Sequence, residues 1–291
     1  MKAASFDYVR ANSLAEACKA LADAAPDGRI IAGGQTLVPL MAMRLARPAV
    51  LVDVNSVAEL AGIAVKGDRL VIKACTRQAD ALASAEVRDN VPLLAEALSH
   101  VGHAQTRNRG TVGGSLANAD PSAEIPLIVR TLDAEIVAAS TTGTRSIAAD
   151  GYFEAAMMTA LAPEECLVEV RFPVWPMRRC GWGFEEISIR RSDFAIVAVA
   201  AQVELDAGGA CVRIHVGIGG AAPAPLRAGP VEAALAGTAL DDAAVRAACA
   251  QIAGLVDPDS DVHATADYRR RVATKLAART IIAARDRARG G

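Results

Sequence analysis

The chain has 291 residues, 52% of them hydrophobic, 22% charged and 3% aromatic, with 31 Lys+Arg against 33 Asp+Glu for a net charge of −2. That balance describes a folded chain with a large aliphatic core, and it supplies no basic face for nucleic acid. The longest uncharged apolar run, residues 194–201, is far short of the ~20 residues a bilayer crossing needs.

The opening residues MKAASFDYVRANS lack the apolar core of a secretion signal, which makes the cytoplasm the expected location. Residues 13–25 (SLAEACKALADAA) predict an amphipathic helix with Ser13 as N-cap and Glu16 at the capping-box position. Pro26-Asp27-Gly28 is turn chemistry. A short strand over 29–32 runs into Gly33-Gly34, and the Leu37, Leu40, Met41 and Leu45 spacing predicts a helix over 36–46. Pro48 then separates that helix from a strand over 49–54, which completes a β–α–β unit with a glycine pair at its strand-to-helix turn.

Further on, a strand over 70–75 precedes helices over 76–84 and 91–101. Residues 101–125 (VGHAQTRNRGTVGGSLANADPSAEI) form a polar, glycine-bearing stretch, and structureless loops of that length usually carry a function. A helix over 122–132 and strands over 135–140, 144–148 and 166–172 follow, and Pro173-Val-Trp-Pro176 reads as a boundary. Strands over 183–189, 195–205 and 211–217 come next, the last two joined by the hairpin turn Asp206-Ala-Gly-Gly209. Helices over 230–236, 241–253 and 264–289 end the chain, which points to a small α+β domain.

Cysteines stand at 18, 75, 166, 180, 211 and 249, with no CxxC or Cys/His cluster, so this chain alone cannot carry a conventional iron–sulfur cluster or structural zinc. His100 and His103 have the spacing to share a helical face, but no third metal ligand is in view.

The chemistry concentrates in two glycine-rich turns, Ile30-Ile-Ala-Gly-Gly-Gln-Thr-Leu37 and Gly110-Thr-Val-Gly-Gly-Ser115. Each is expected to present unpaired backbone N–H groups to an anion, with Thr36, Thr111 and Ser115 as hydroxyl donors, so that the pair grips one pyrophosphate. Neither matches a P-loop or a full GxGxxG, and each alone reads first as a plain tight turn. Gly217-Ile-Gly-Gly220 is read as such a turn.

AGGQTLVPLMAMRL followed by RNRGTVGGSLANADPSAEIP resembles the FAD-binding medium subunit of the molybdenum hydroxylases, the family of bacterial carbon monoxide dehydrogenase and xanthine dehydrogenase. That family's flavin signatures, AGG[HQ][ST]L and T[IV]GG[SN], fit residues 32–37 and 111–115. Similarity continues through Leu161-Ala-Pro-Glu-Glu-Cys-Leu167, Phe184-Glu-Glu-Ile-Ser-Ile-Arg-Arg-Ser-Asp-Phe194 and Asp267-Tyr-Arg-Arg-Arg271.

The resemblance implies an α+β, vanillyl-alcohol-oxidase-like (PCMH-type) fold in which two subdomains, 1–55 and 56–176, clamp FAD. A C-terminal domain, 177–291, is expected to add a three-stranded antiparallel sheet and helices. It implies that Ile30, Ile31, Ala32, Gly33, Gly34, Gln35, Thr36 and Leu37, with Thr111, Val112, Gly113, Gly114 and Ser115, hold the pyrophosphate and ribityl chain. Glu124 is implied on the adenosine side, where a carboxylate suits ribose hydroxyls, although it also suits the cap of the helix near Pro121. The main chain at Val101 and Leu167 is implied to line the cofactor. Two departures stand out. Glu186 takes a place where relatives often carry a lysine near the flavin ring, and Phe194 one where relatives carry tyrosine. Arg190, Arg191 and Asp193 read as a surface ion-pair cluster ahead of a cofactor contact.

The resemblance further implies an electron-transfer role, from [2Fe–2S] clusters on a small partner subunit to FAD and on to an external acceptor. Molybdopterin is expected on a large subunit, and the assembly is expected to be a dimer of heterotrimers. A self-sufficient flavin oxidoreductase of the same fold and a non-redox assembly subunit remain open alternatives at this stage.

Overall fold

The computed structural model describes residues 2–290. The chain begins with β1 (Asp7–Arg10), α1 (Leu14–Ala24), β2 (Gly28–Ile31), α2 (Leu37–Ala42) and β3 (Val50–Asp53). The three strands pair in parallel in the order β1-β3-β2. Ser13 caps α1 by accepting from the Glu16 amide at 3.2 Å, as expected, while Glu16 reaches back to the Asn12 amide at 2.8 Å, one residue earlier than a capping box requires. The buried face of α1, Ala17, Cys18 and Leu21, packs with Val52, Val54 and Cys166.

The middle of the chain holds β4 (Ile63–Lys66), β5 (Arg69–Lys73), α3 (Gln78–Ala83), α4 (Ala85–Asn90), α5 (Pro92–Leu98), α6 (Ala104–Arg109), α7 (Val112–Asn118) and α8 (Glu124–Thr131). Then come β6 (Glu135–Ser140), β7 (Gly143–Ala148), β8 (Phe153–Ala155), β9 (Met158–Thr159) and β10 (Cys166–Pro173). An antiparallel five-stranded sheet runs β4-β5-β10-β6-β7, with β8 and β9 as a separate hairpin. Leu70, Ile72, Leu94, Leu98, Ile128 and Phe172 lie in its core, which extends to Phe184, Ala198 and Ala200 of the sheet that follows.

That last sheet is β11 (Cys180–Ile187), β12 (Val197–Leu205), β13 (Cys211–Gly219) and β14 (Leu226–Arg227), antiparallel in that order. Helices α9 (Gly229–Leu235), α10 (Asp242–Cys249), α11 (Ile252–Leu255) and α12 (Ala266–Gly290) complete the chain. The backbone of α12 lies so close to β11 that a Cβ at Gly181 would run into Ala284 O and Ala288 N.

Several expectations need correcting. The C-terminal sheet has four strands, because the two-residue β14 bonds to β13 beyond the three long strands. The polar stretch 101–125 is not a loop: α6 and α7 fill most of it. The helix expected over 76–84 is shorter, and α4 follows it directly through Ser84, which caps α4 by accepting from the Val87 amide. His100 and His103 share no helical face, since His100 follows the end of α5 and His103 is the N-cap of α6. Gly217 and Gly219 belong to β13, where the missing side chains admit α8: a Cβ at Gly217 would strike Thr131 Oγ1. Among the described residues no helix is long and apolar enough to cross a membrane.

Candidate functional site

The first glycine turn leaves β2 at Ile31 and enters α2 at Leu37. Gly34 has φ +70°, a left-handed conformation that a side chain would strain. Gly33 has a different reason to be glycine: a Cβ there would lie 2.5 Å from Arg109 O and 2.9 Å from Gly110 Cα. The two glycine turns, some 80 residues apart in sequence, therefore touch at Gly33 and Gly110.

Polar side chains fasten this seam. Asn55 donates to Ala32 O at 2.9 Å, Arg77 donates to Asn55 Oδ1 at 2.7 Å, and the same guanidinium donates to Arg109 O at 2.5 Å. Asn55 is itself held by Asp53, whose carboxylate accepts from the Asn55 amide at 2.8 Å. Neither Asn55 nor Arg77 was singled out from the sequence; the Asp53-Val-Asn55 spacing after a strand is the turn signal that marks Asn55.

The two turns differ in what they offer an anion. The backbone N–H groups of Gly33, Gly34, Gln35, Thr36 and Leu37 donate to no protein acceptor among the described residues. The N–H groups of the second turn are already engaged. Val112 donates to Thr76 O at 3.0 Å, Gly113 to Ala74 O at 2.8 Å, Gly114 to Thr111 Oγ1 at 3.0 Å and Ser115 to Thr111 O at 3.2 Å. The expectation of unpaired amides thus holds for the first turn and fails for the second. Thr111 is occupied as the N-cap of α7. Gly113 lets α7 approach the Ala74 backbone, where a Cβ would lie 2.7 Å from Ala74 Cα. What the second turn contributes is a close-packed wall, an exposed Gly114 and the half-buried Ser115.

A separate cluster forms where α5, α8 and β11 meet. Glu124 opens α8 and is 4% exposed; burial pushes its carboxyl up to about 8, helped by the neighbouring Glu186 and Asp120 carboxylates and opposed by His100 and its own amide. Ala123, not Glu124, occupies the N-cap position, without a side-chain cap. The Glu186 side chain is 6% exposed, with one oxygen 3.2 Å from His100 Nδ1 and the other buried without a partner. The His100 imidazole rises above its ordinary value, chiefly through that hydrogen bond. Asp120 rises as well, through burial, despite accepting from the Ser122 amide at 2.9 Å. A polar nucleus of three carboxyls and one imidazole, with an orphaned oxygen, is chemically suited to hydroxyl-bearing or protonated groups.

The remaining expected residues are less tightly gathered. Val101 is buried, and its carbonyl accepts from Arg107 at 2.9 Å, as does that of Gly102 at 2.8 Å. Leu167 lies in β10 opposite Ala138, with its side chain in the core that also contains Val101, Val112 and Leu116. Ile30 and Ile31 are partly buried strand residues of β2. Phe194 stands 61% exposed on the loop between β11 and β12 and stacks on no other ring among the described residues. On that loop Arg190 pairs with Asp193 at 3.0 Å, while Arg191 joins no ion pair. Among the described residues no group of His, Cys, Asp and Glu forms a metal site.

The unpaired amides, the glycine that a close approach demands and the orphaned Glu186 oxygen fit a bound dinucleotide with phosphates at the first turn. Comparisons with known proteins give the family. Residues 4–175 match the family model described as FAD binding domain in molybdopterin dehydrogenase. Residues 182–284 match that of the CO dehydrogenase flavoprotein C-terminal domain. The chain is 40% identical to the alpha subunit of the 6-hydroxypseudooxynicotine dehydrogenase complex of Paenarthrobacter nicotinovorans, over 99% of this chain and 97% of the relative. Among solved structures it is similar to carbon monoxide dehydrogenase of Hydrogenophaga pseudoflava, at 35% identity and a TM-score of 0.95 over 99% of both chains. It is also similar to quinoline 2-oxidoreductase of Pseudomonas putida 86, at 36% identity and a TM-score of 0.92 over 100% of this chain and 99% of the other.

Proposed function

The chain belongs to the family of FAD-binding medium subunits of the molybdenum hydroxylases, and from that premise we propose that it relays electrons from [2Fe–2S] clusters on a partner chain to an external acceptor. The observation that carries the reading is the set of free N–H groups from Gly33 to Leu37, set against the Arg109–Gly110 wall. When bound, FAD supplies the exchange between one-electron and two-electron carriers.

The protein's own groups then divide the work of binding. The amides of Gly33, Gly34, Gln35, Thr36 and Leu37 donate to the pyrophosphate, and the Thr36 and Ser115 hydroxyls add donors. Glu124, neutral up to about pH 8, keeps both a donor and acceptors for sugar hydroxyls. The main chain at Val101 and Leu167 lines the cofactor. Glu186, tied to His100, brings a carboxylate to the ring side where relatives carry a lysine, and Phe194 covers the ring. We assign residues 1–55 and 56–176 as the two halves of the clamp and 177–291 as the domain that packs alongside.

An oxidoreductase subunit with six scattered, buried and unbridged cysteines needs cluster-bearing partners. The relative named a complex subunit supports that assembly. We read it as a dimer of heterotrimers with an iron–sulfur small subunit and a molybdopterin large subunit. The free thiols support a reducing, cytoplasmic setting.

Anaerobic reduction tests the relay. Mixed with the substrate of its complex, the assembled protein loses its flavin absorbance, whereas the isolated FAD-loaded chain keeps it until the cluster-bearing chain is added. Reduction of the isolated chain by substrate at the rate of the complex would overturn the relay in favour of a self-sufficient enzyme.

A further inference from the structure

Many arginines of this chain pair with acids. Arg145 pairs with Glu165, Arg213 with Glu204, Arg227 with Asp133 and Glu232, Arg269 with Asp261 and Arg285 with Asp242. Against that background one cleft of about 320 Å³ stands out, walled by Ser99, Gly102, His103, Ala104, Arg107, Arg191 and Ser192. No carboxylate lines it. Arg107 spends one nitrogen on the carbonyls of Val101 and Gly102, which fixes its guanidinium in the wall, and pairs with no acid. Arg191 makes no hydrogen bond or ion pair among the described residues, while its neighbour Arg190 takes Asp193. In a molecule of net charge −2, two unneutralised guanidinium groups around one concavity focus a local positive field.

We propose that this cleft, between the start of α6 and the β11–β12 loop, binds the oxyanion of a small phosphate- or carboxylate-bearing molecule other than FAD. A guanidinium offers paired donors that match such an oxyanion, and the Ser192 hydroxyl with the His103 ring completes a polar lining. The volume suits a phosphate, a pyrophosphate or a small dicarboxylate. The cleft is distinct from the amide cradle at Gly33–Leu37, yet it shares its walls with the loop that carries Phe194 and with the segment after Val101. Its place beside the flavin ring, next to Phe194, rests on the reading given above; the anion binding itself does not.

The test is calorimetric titration of the purified FAD-containing complex with inorganic pyrophosphate and, in parallel, with succinate, using the parent, Arg191→Glu and Arg178→Glu. Arg178 is exposed and lies away from the cleft, so it controls for net charge. The proposal expects one saturable site in the parent that weakens with salt. Arg191→Glu is expected to weaken it at least tenfold, with parental affinity in Arg178→Glu and parental flavin content in both. The tighter of the two anions then names phosphate or carboxylate as the ligand group. No binding to the parent, equal weakening by both variants, or binding only to flavin-stripped protein would each overturn it, the last by making the cleft part of the cofactor's own phosphate seat. A chain that never holds FAD but still binds anion through Arg191 sinks the flavin reading and leaves the anion site standing.

Discussion

Glu124 shows what a low-dielectric pocket does to an acid of ordinary strength. The unfolded chain loses the Glu124 proton near pH ~4.3, whereas the folded chain holds it to about 8. The folded state therefore binds more protons across that window, so this residue lowers stability as pH climbs through it and contributes no further change above. Glu124→Gln keeps the neutral form, so its melting temperature, measured across pH, is expected to fall less between pH ~5 and ~9 and to exceed the parent's by a few degrees at the alkaline end. A variant with the parent's pH dependence would contradict the assignment. His100 changes stability with pH in the same direction, for a different reason. Its value is raised by the Glu186 hydrogen bond, so the stabilisation is full below the ordinary histidine value and is lost as pH rises through the folded one. In Glu186→Gln the His100 titration followed by NMR is expected to move to lower pH, and the stability gap to the parent to narrow above neutrality. An unmoved His100 titration would show that another group sets it.

At the scale of elements, close backbone approach decides more than side-chain identity. The seat of α12 on β11 depends on Gly181, where any Cβ meets the α12 backbone, which cannot yield as a flexible side chain does. Gly181→Ala is expected to cost several kcal/mol and to unfold the C-terminal sheet first, read as early loss of hydrogen-exchange protection in β11 and β12. Protection equal to the parent's would refute that seat. Much of this layer was legible in the sequence. The Ser13 cap, the β2–α2–β3 unit with its glycine pair, the Asp206–Gly209 hairpin and the long apolar strands all carry local signals. The structure bears these out, with Gly209 at φ +85° and the Asp206 amide donating to Ala210 O at 2.9 Å. Elsewhere the signal is absent. β1 is exposed along its whole length as an edge strand, so it has no alternation to read. α6 buries no residue, and α7 carries a glycine pair in its first turn, which hides both inside a polar stretch. The contrast between the two glycine turns was only half legible locally: Thr111 takes the Gly114 and Ser115 amides within the turn itself, but the acceptors of the Val112 and Gly113 amides, Thr76 and Ala74, lie just past β5.

The whole molecule is three main sheets and one small hairpin, the main sheets joined by shared cores, and its candidate cofactor site lies on the seam between the first two. Cys166 and Val168 of the second sheet pack with α1 of the first unit, and Phe184 of the third reaches into the core of the second. A ligand gripped by the Gly33–Leu37 amides against the Arg109–Gly110 wall holds both sides of that seam. Because such a ligand binds the folded state alone, saturating FAD is expected to raise stability by about 2.7 kcal/mol at a hundredfold excess over its dissociation constant. The same geometry makes Gly33 the position where a single methyl group separates the walls, since it would press on Arg109 O at 2.5 Å. Calorimetric titration of FAD into the flavin-free chain and into Gly33→Ala, with circular dichroism to verify folding, tests this most directly. The account predicts one equivalent of FAD on the parent and at least tenfold weaker binding to Gly33→Ala. A folded parent that takes up no FAD, or a folded Gly33→Ala that binds it as tightly as the parent, would contradict it.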